Sequence, residues 1–434
     1  VVAIALYKYW GRFAHLTPRQ WAWLLAAGGA LAACVAGVGR SWHSARRAGA
    51  ERLGLVLGTN VLAVAGILAG GELLVRALSV PTPAGVSVAG TVLLPRRWDE
   101  VRARNAALLR HVPAAVAYLV SDTLLGWTVG PGRRSSDGRY LSSAEGLRSA
   151  RAGERFAANS SRPRIALVGD SYTFGLEVPF EHTWGVRLER ELGGRATVLN
   201  FGVDGYGVDQ AYLRYRRDVR PWRPAIAMLG FINHDLYRSL SVYSFITFPA
   251  WGFPFGKPRF VLRGEELALL NVPVPAPEAL LAAPSAAALP FIGYDPGYIP
   301  EQWEWRWGDA SRLLRFVASR FPRWPAPASG HDELVALNSA LTLAFARQAQ
   351  ADGTIPIVVY FPSRSDFAGQ DRSSAMAVLA RLSAAGVTAV DLTGCIARLG
   401  LEAAFLPGRP HYSAAGNAAV ARCLAPFARH ALRR

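Results

Sequence analysis

The sequence predicts a membrane-anchored α/β protein, with two apolar helices followed by a parallel β-sheet that carries helices on both faces. Three observations lead there. Two charge-free stretches of bilayer length lie near the beginning, short apolar runs alternate with helical stretches from residue 162 onward, and those runs end in polar, glycine-containing loops. With 434 residues, 51% hydrophobic and 18% charged, the chain can bury a large core, which excludes a disordered or collagen-like protein. Its three cysteines, Cys34, Cys395 and Cys423, contain no C-x-x-C pair, so neither a structural metal nor a thioredoxin-type centre is expected. The net charge of +17 would ordinarily suggest nucleic acid. However, Lys8 and Lys257 are the only lysines among 48 basic residues and the arginines are dispersed, so no nucleic-acid groove is expected.

The two apolar helices come first. Residues 21–38 give eighteen positions without a charge and 53–71 give nineteen, close to the ~20 that cross hydrocarbon as a helix. Trp21 and Trp23 lie at one end of the first, as interfacial aromatics do, and Glu72 and Arg76 close the second. The connector 39–52 carries Arg40, Arg46, Arg47 and Arg52 against Glu51, which predicts a cytoplasmic loop. Everything after residue 76 is then expected outside the cytoplasm, at the inner (plasma) membrane and facing the periplasm, although Lys8, Arg12 and Arg19 compete with that orientation. The opening Val1 to Leu6 has no basic region or small-residue cleavage site and does not read as a signal peptide; a remnant of an earlier span or an unusual start is expected.

Residues 1–77 are thus the membrane region. Residues 78–161 are expected as a stalk: Pro81, Pro83 and Pro95 break its start, 101–120 reads as an amphipathic helix interrupted at Pro113, and 126–161 is rich in Gly, Ser and Arg. The domain 162–434 follows, with strands expected at 165–168, 197–201, 225–231, 354–361 and 387–392. Helices are expected at 183–192, 209–217, 333–349, 374–384 and 414–432. In such sheets ligands bind beyond the carboxyl ends of the strands.

Those ends carry the chemistry. After the first strand, Gly169-Asp170-Ser171 sets a hydroxyl over the sheet edge, where a nucleophile would sit. After the second, Asn200 to Gly207 has glycines at 202, 205 and 207, which do not match G-x-G-x-x-G. No P-loop lysine exists, so a nucleotide cofactor is not expected. The third ends in Asn233-His234-Asp235. Of eight histidines, His182, His234 and His411 remain as partners for a serine once those near the spans, in the stalk and on remote helices are set aside. His411 stands out, because Ser413 is placed to cap the last helix and that puts the imidazole on the rim shared with Ser171.

The ordered blocks Gly169-Asp170-Ser171, 200–207, 230–235 and 411–417 resemble those of the SGNH, or GDSL-type, esterase and lipase family, in particular its bacterial membrane-anchored members. The resemblance implies a three-layer flavodoxin-like domain and acyl-ester chemistry without metal or organic cofactor. It implies Ser171 as nucleophile, His411 as general base, and an oxyanion hole from Ser171, Gly205 and Asn233. Asp170, His234 and Asp235 belong to the same blocks. This sequence departs from the family in two places. Asn233 precedes His234 rather than an Asp, so His234 could take the oxyanion position. No acid stands two or three residues before His411, where Gly408 and Arg409 lie. A backbone carbonyl or an acid from elsewhere, with Asp391 and Glu402 as candidates, would then orient the imidazole.

Residues 239–329 form an insertion too long for an ordinary loop, carrying Trp251, Phe253, Phe255 and Trp303, Trp305 and Trp307. These rings would pack the insertion onto the domain, stack on sugars, or rest on a membrane interface. Cys395 and Cys423 could pair in an oxidising compartment. The expected activity is a membrane-anchored serine esterase or O-acyltransferase on acyl esters of envelope glycans or lipids. The rival is a weakly active or inactive relative that binds glycan or assists polysaccharide assembly, motivated by the missing acid. An α/β-hydrolase is disfavoured, because 169–173 lacks the final glycine of G-x-S-x-G.

Overall fold

The computed structural model describes residues 50–110, 117–156, 161–320 and 331–433, with a few positions between 36 and 43. Of the expected span 21–38, residues 21–35 and 38 lie outside the described residues. The chain divides into two units: one runs to Ser79 and takes in Gly308–Val317, and the other comprises Val80–Trp307 and Ala318–Arg434.

The first unit is built on a 28-residue helix, Ala50–Ala77. Its stretch Gly54–Ala77, which contains an 18-residue window with a mean hydropathy of 1.8, is long and apolar enough to cross a membrane. Leu55, Val61, Leu62 and Ile67 are each at least 66% exposed, whereas a core helix would bury them.

The second unit holds a five-stranded sheet: β1 (Arg164–Gly169), β2 (Thr197–Asn200), β3 (Ile226–Phe231), β4 (Ile355–Tyr360) and β5 (Thr388–Asp391). All neighbours are parallel, in the order β5-β4-β3-β1-β2. That is the 2-1-3-4-5 order of flavodoxin-like folds, read from the other edge. Alternation along β1 explains the three layers. Ile165 and Leu167 face Trp184, Leu188 and Val420 of helices Trp184–Glu191 and Ala414–Ala431. Ala166 and Val168 face the opposite layer, with Ala211, Leu341 and Val378 of helices Val208–Arg214, His331–Ala351 and Ser373–Ala384. A disulfide joins Cys395 to Cys423 and ties helix Thr393–Leu399 to the last helix.

The expected stalk is folded rather than extended. Val80–Thr82, Gly85–Val88 and Thr91–Val92 make an antiparallel three-stranded sheet, and helix Trp98–Arg110 ends before the undescribed 111–116. The continuation of the expected amphipathic helix is instead a strand, Leu119–Asp122, paired with Gly126–Val129. Tyr118, Leu125, Trp127, Tyr140 and Leu147 join the core on the Val168 face of the sheet. The Gly-Ser-Arg composition that reads as a linker has another use. Ser142 and Ser143 are buried, and the Ser142 hydroxyl donates to the Gly130 carbonyl at 2.6 Å while accepting from the Arg133 amide at 2.7 Å. Side chains thus satisfy a backbone that has no regular ladder.

The insertion forms a hairpin, Arg259–Arg263 with Glu266–Leu270, and a series of short helical turns. Tyr243, Phe245, Leu280 and Ile292 share a small core with Val101. Trp127 stacks on Phe253 and Phe255, with centroids 5.7 and 5.8 Å away, and Trp303 meets Trp98 at 6.5 Å. These rings pack the insertion onto the domain. Buried Lys257 also pins it, with Nζ 2.5 Å from the Asp209 carboxylate. Trp305, 45% exposed, lies under the Arg97 guanidinium, 5.2 Å from the ring centroid, and Trp307 is 94% exposed.

Candidate active site

Three loops meet at the carboxyl edge of the sheet. As β1 ends, the Asp170 carboxylate accepts from the amides of Tyr172 (2.9 Å) and Thr173 (3.4 Å), capping the turn Ser171–Phe174 and holding Ser171 at its start. As β2 ends, Asn200 ties its loop to that turn, donating to Thr173 O at 2.8 Å and accepting from the Gly202 amide at 2.9 Å. The approach is so close that a Cβ on Gly202 would lie 2.4 Å from the Phe174 nitrogen. Gly205 follows at φ +78°, with a virtual Cβ 2.9 Å from the Phe253 ring. The third loop lies before the last helix: Tyr172 donates its hydroxyl to Pro410 O at 2.7 Å, and Ser413 caps the helix by accepting from the Gly416 amide.

This convergence brings His411 Nε2 to 3.0 Å from Ser171 Oγ, across 240 positions of sequence. On the other side of the ring, Nδ1 is 2.8 Å from Glu177 Oε2. An ionised carboxylate only accepts, so Glu177 assigns the proton to Nδ1 and leaves Nε2 to accept from the Ser171 hydroxyl. The hydrogen bond from His411, together with the charge of Arg409, holds the Glu177 carboxyl below its usual pKa.

Glu177 is the acid that sequence reasoning missed, and the two candidates it offered are elsewhere. Asp391 accepts from the Thr393 amide and hydroxyl, and Glu402, its side chain 91% exposed, pairs with Arg364. Glu177 lies six residues after Ser171 in a left-handed conformation, φ +70°, uncommon for a residue with a side chain. Its amide donates to the Tyr140 hydroxyl at 2.8 Å, and the next carbonyl, of Val178, accepts from Arg148 at 3.0 Å. Arg148 lies over the rings of Tyr140 and Phe174, 4.7 Å from each centroid. The segment expected as a stalk therefore supports the acid's turn.

A cavity of about 540 Å³ opens beside Ser171 and is lined also by Gly205, Asn233, His234, Trp251 and His411. Asn233 remains at its edge despite the altered order, donating from Nδ2 to Asp371 O at 2.9 Å. His234 presents its ring edge-on to Phe248 and Trp251, and burial pushes its pKa down to about 3, so the imidazole is neutral. Asp204 also faces the cavity, and burial raises its pKa. Asp235 serves beneath the site. It accepts from the Ile232 amide at 2.9 Å and from Arg238 at 2.6 Å, and Arg238 also lies 3.5 Å from Asp170. Burial raises both aspartates, Asp235 further because Asp170 is beside it. Among the described residues, no three His, Cys, Asp or Glu side chains gather as a metal site would require.

No protein-family model matches the chain, and no curated protein matches it. Solved structures similar to it include an acetylxylan esterase from Geobacillus stearothermophilus, solved as a catalytic mutant, at 13% identity over 63% of this chain and 96% of that one, TM-score 0.33. A lipase/acylhydrolase from Enterococcus faecalis matches at 12% identity over 61% and 96%, TM-score 0.33. A member of the lipolytic G-D-S-L family from Veillonella parvula matches at 11% identity over 60% and 95%, TM-score 0.32. The likeness is to GDSL-type lipolytic hydrolases.

Proposed function

We propose that the chain is a serine esterase in which Ser171, His411 and Glu177 act as nucleophile, base and orienting acid. The observation that carries this reading is the unbroken pair of hydrogen bonds from Ser171 through His411 to Glu177, opening on a cavity. Ser171 Oγ attacks the carbonyl carbon of an ester while His411 Nε2 takes its proton, and Glu177 steadies the imidazolium that results. The tetrahedral oxyanion sits against the amides of Ser171 and Gly205 and the Asn233 side chain, each such donor being worth on the order of 3 kcal/mol in the transition state. As the intermediate collapses, the ester C–O bond breaks and His411 gives its proton to the leaving alcohol. Water, deprotonated by the same imidazole, then attacks the acyl-enzyme and releases the acid and Ser171. A sugar hydroxyl in place of water makes the same site an O-acyltransferase.

The helix Ala50–Ala77, with its exposed leucines, supports attachment to a membrane, and the Cys395–Cys423 disulfide supports a catalytic domain outside the cytoplasm. An esterase so placed meets acylated envelope glycans or lipids. The aromatic wall of Trp251 and Phe253, facing Ser363, Ser365 and Gln370, suits a ligand with both apolar faces and hydroxyls. The rival reading of an inactive glycan-binding relative drew its motive from a missing acid, and Glu177 removes that motive.

The test is hydrolysis of 4-nitrophenyl acetate and an O-acetylated sugar by the detergent-solubilised full chain. Ser171→Ala and His411→Ala should each lower kcat/KM by ~10³-fold or more. Equal turnover in all three proteins would sink the reading.

A further inference from the structure

The apolar helix of the first unit holds a second element at its end. Both oxygens of Glu72 are engaged, accepting from the Ser311 hydroxyl (2.8 Å) and from the amides of Arg312 (3.0 Å) and Leu313 (2.9 Å). Arg76 pairs with the same carboxylate at 2.6 Å and reaches Ala310 O at 3.4 Å. Gly71 permits the contact, since a Cβ there would lie 3.1 Å from Leu313 Cδ2. An acidic side chain on an otherwise apolar surface thus serves as the N-terminal cap of helix Arg312–Arg320, fixing 308–317 against the last turns of Ala50–Ala77.

The docked turn has its polarity reversed. Leu314 and Val317, three positions apart and so on one face, are 50% and 47% exposed, whereas Arg315 is buried at 4%. A helix facing water would put the arginine outside and the aliphatic residues inside. Leu73 and Leu74, flanking the capping residue on the long helix, are 69% and 59% exposed, so the outward apolar character is continuous from one element to the other.

We propose that 308–317 is a membrane-surface element, seating Leu314 and Val317 in the headgroup–acyl boundary of the bilayer that Ala50–Ala77 crosses. The proposal rests on the reading of that helix as a span. The occupant is lipid because the reversed face continues the lipid-facing one, and because a carboxylate bonded at every oxygen is tolerated at headgroup level. The element sets the depth of the span and stops it from sliding or rotating.

The experiment uses Leu314→Trp in the full chain, reconstituted in nanodiscs with lipids brominated high on the acyl chains, the emission of the parent protein being subtracted. Bromine should remove roughly half or more of the added emission, as expected for an apolar face lying ~5–10 Å into the boundary. Added emission untouched by bromine but quenched by aqueous acrylamide would overturn the proposal, and emission protected from both would overturn it in favour of a protein partner. Alkaline carbonate extraction of the same protein keeps the two readings apart. A chain released from vesicles ends the membrane reading itself, whereas a chain retained without bromine quenching ends this inference alone.

Discussion

Two regions support the same imidazole, and they do so by different physics. Ser171 and His411 hang from the rim of the parallel sheet, where strand ends, an Asp170 cap and a Ser413 cap fix each loop through short-range bonds. Glu177 stands on an irregular turn with no strand beneath it, held by Tyr140 and Arg148 from the segment before the sheet. The first region follows from the alternation of strands and helices together with those two caps. The second depends on tertiary contacts across about 30 to 40 positions, made by side chains that satisfy backbone groups one at a time. A carboxylate that orients an imidazole can therefore stand off the sheet when a neighbouring segment supplies its scaffold.

The comparison is broken most directly at Glu177 itself. Glu177→Gln should lower kcat by ~10²–10⁴-fold with little change in KM, because a neutral amide no longer dictates the Nδ1 tautomer or stabilises the imidazolium. Glu177→Asp should recover part of the rate. Full activity in the glutamine variant would mean that the sheet-borne pair suffices alone. Gly205→Ala tests the sheet side. Its Cβ would need φ +78° and would meet the Phe253 ring at 2.9 Å, so the loop must shift and the proposed oxyanion amide with it. A loss of ~10²-fold in kcat is expected, in line with losing one such donor.

Tyr140→Phe is the finer test, because it removes only the hydroxyl that accepts from the Glu177 amide. The ring keeps its place against Tyr118 and Phe174, so the fold should hold. One net hydrogen bond of ~1 kcal/mol corresponds to a loss of several-fold in kcat, and circular dichroism should be unchanged. An unaltered rate would show that Arg148 and the turn itself position the acid without Tyr140.

The same contrast explains what the sequence made legible. Strands with both faces buried read as short apolar runs, so the run 165–168 predicts β1, which spans Arg164–Gly169, and Ser413 announces the helix start that marks out His411. Glu177 gave no such signal, since its role follows from a left-handed backbone turn and from Tyr140, neither of which leaves a periodic mark. The stalk reading failed for a related reason. Serine and arginine usually mean solvent, yet here Ser142, Ser143 and Arg148 are buried and bonded, while Trp127 and Tyr140 supply apolar area at intervals too irregular to read as an element.

The smallest effect concerns His234, which lines the site from the third strand without touching Ser171 or Glu177 by any hydrogen bond among the described residues. Its pKa falls to about 3 when folded, from an ordinary value near 6.5, chiefly through burial and then through the charge of Arg238. As pH drops below the ordinary value, the unfolded chain binds a proton that the folded chain refuses, so stability declines by up to ~1.4 kcal/mol per pH unit until the folded group titrates. Phenylalanine keeps the edge contacts with Phe248 and Trp251 but cannot take up a proton. Between pH ~6 and ~5, above most carboxylate titrations, the thermal midpoint of His234→Phe should therefore fall less steeply than that of the parent. Parallel slopes would mean that the imidazole is hydrated in solution and that this wall of the cavity opens to water.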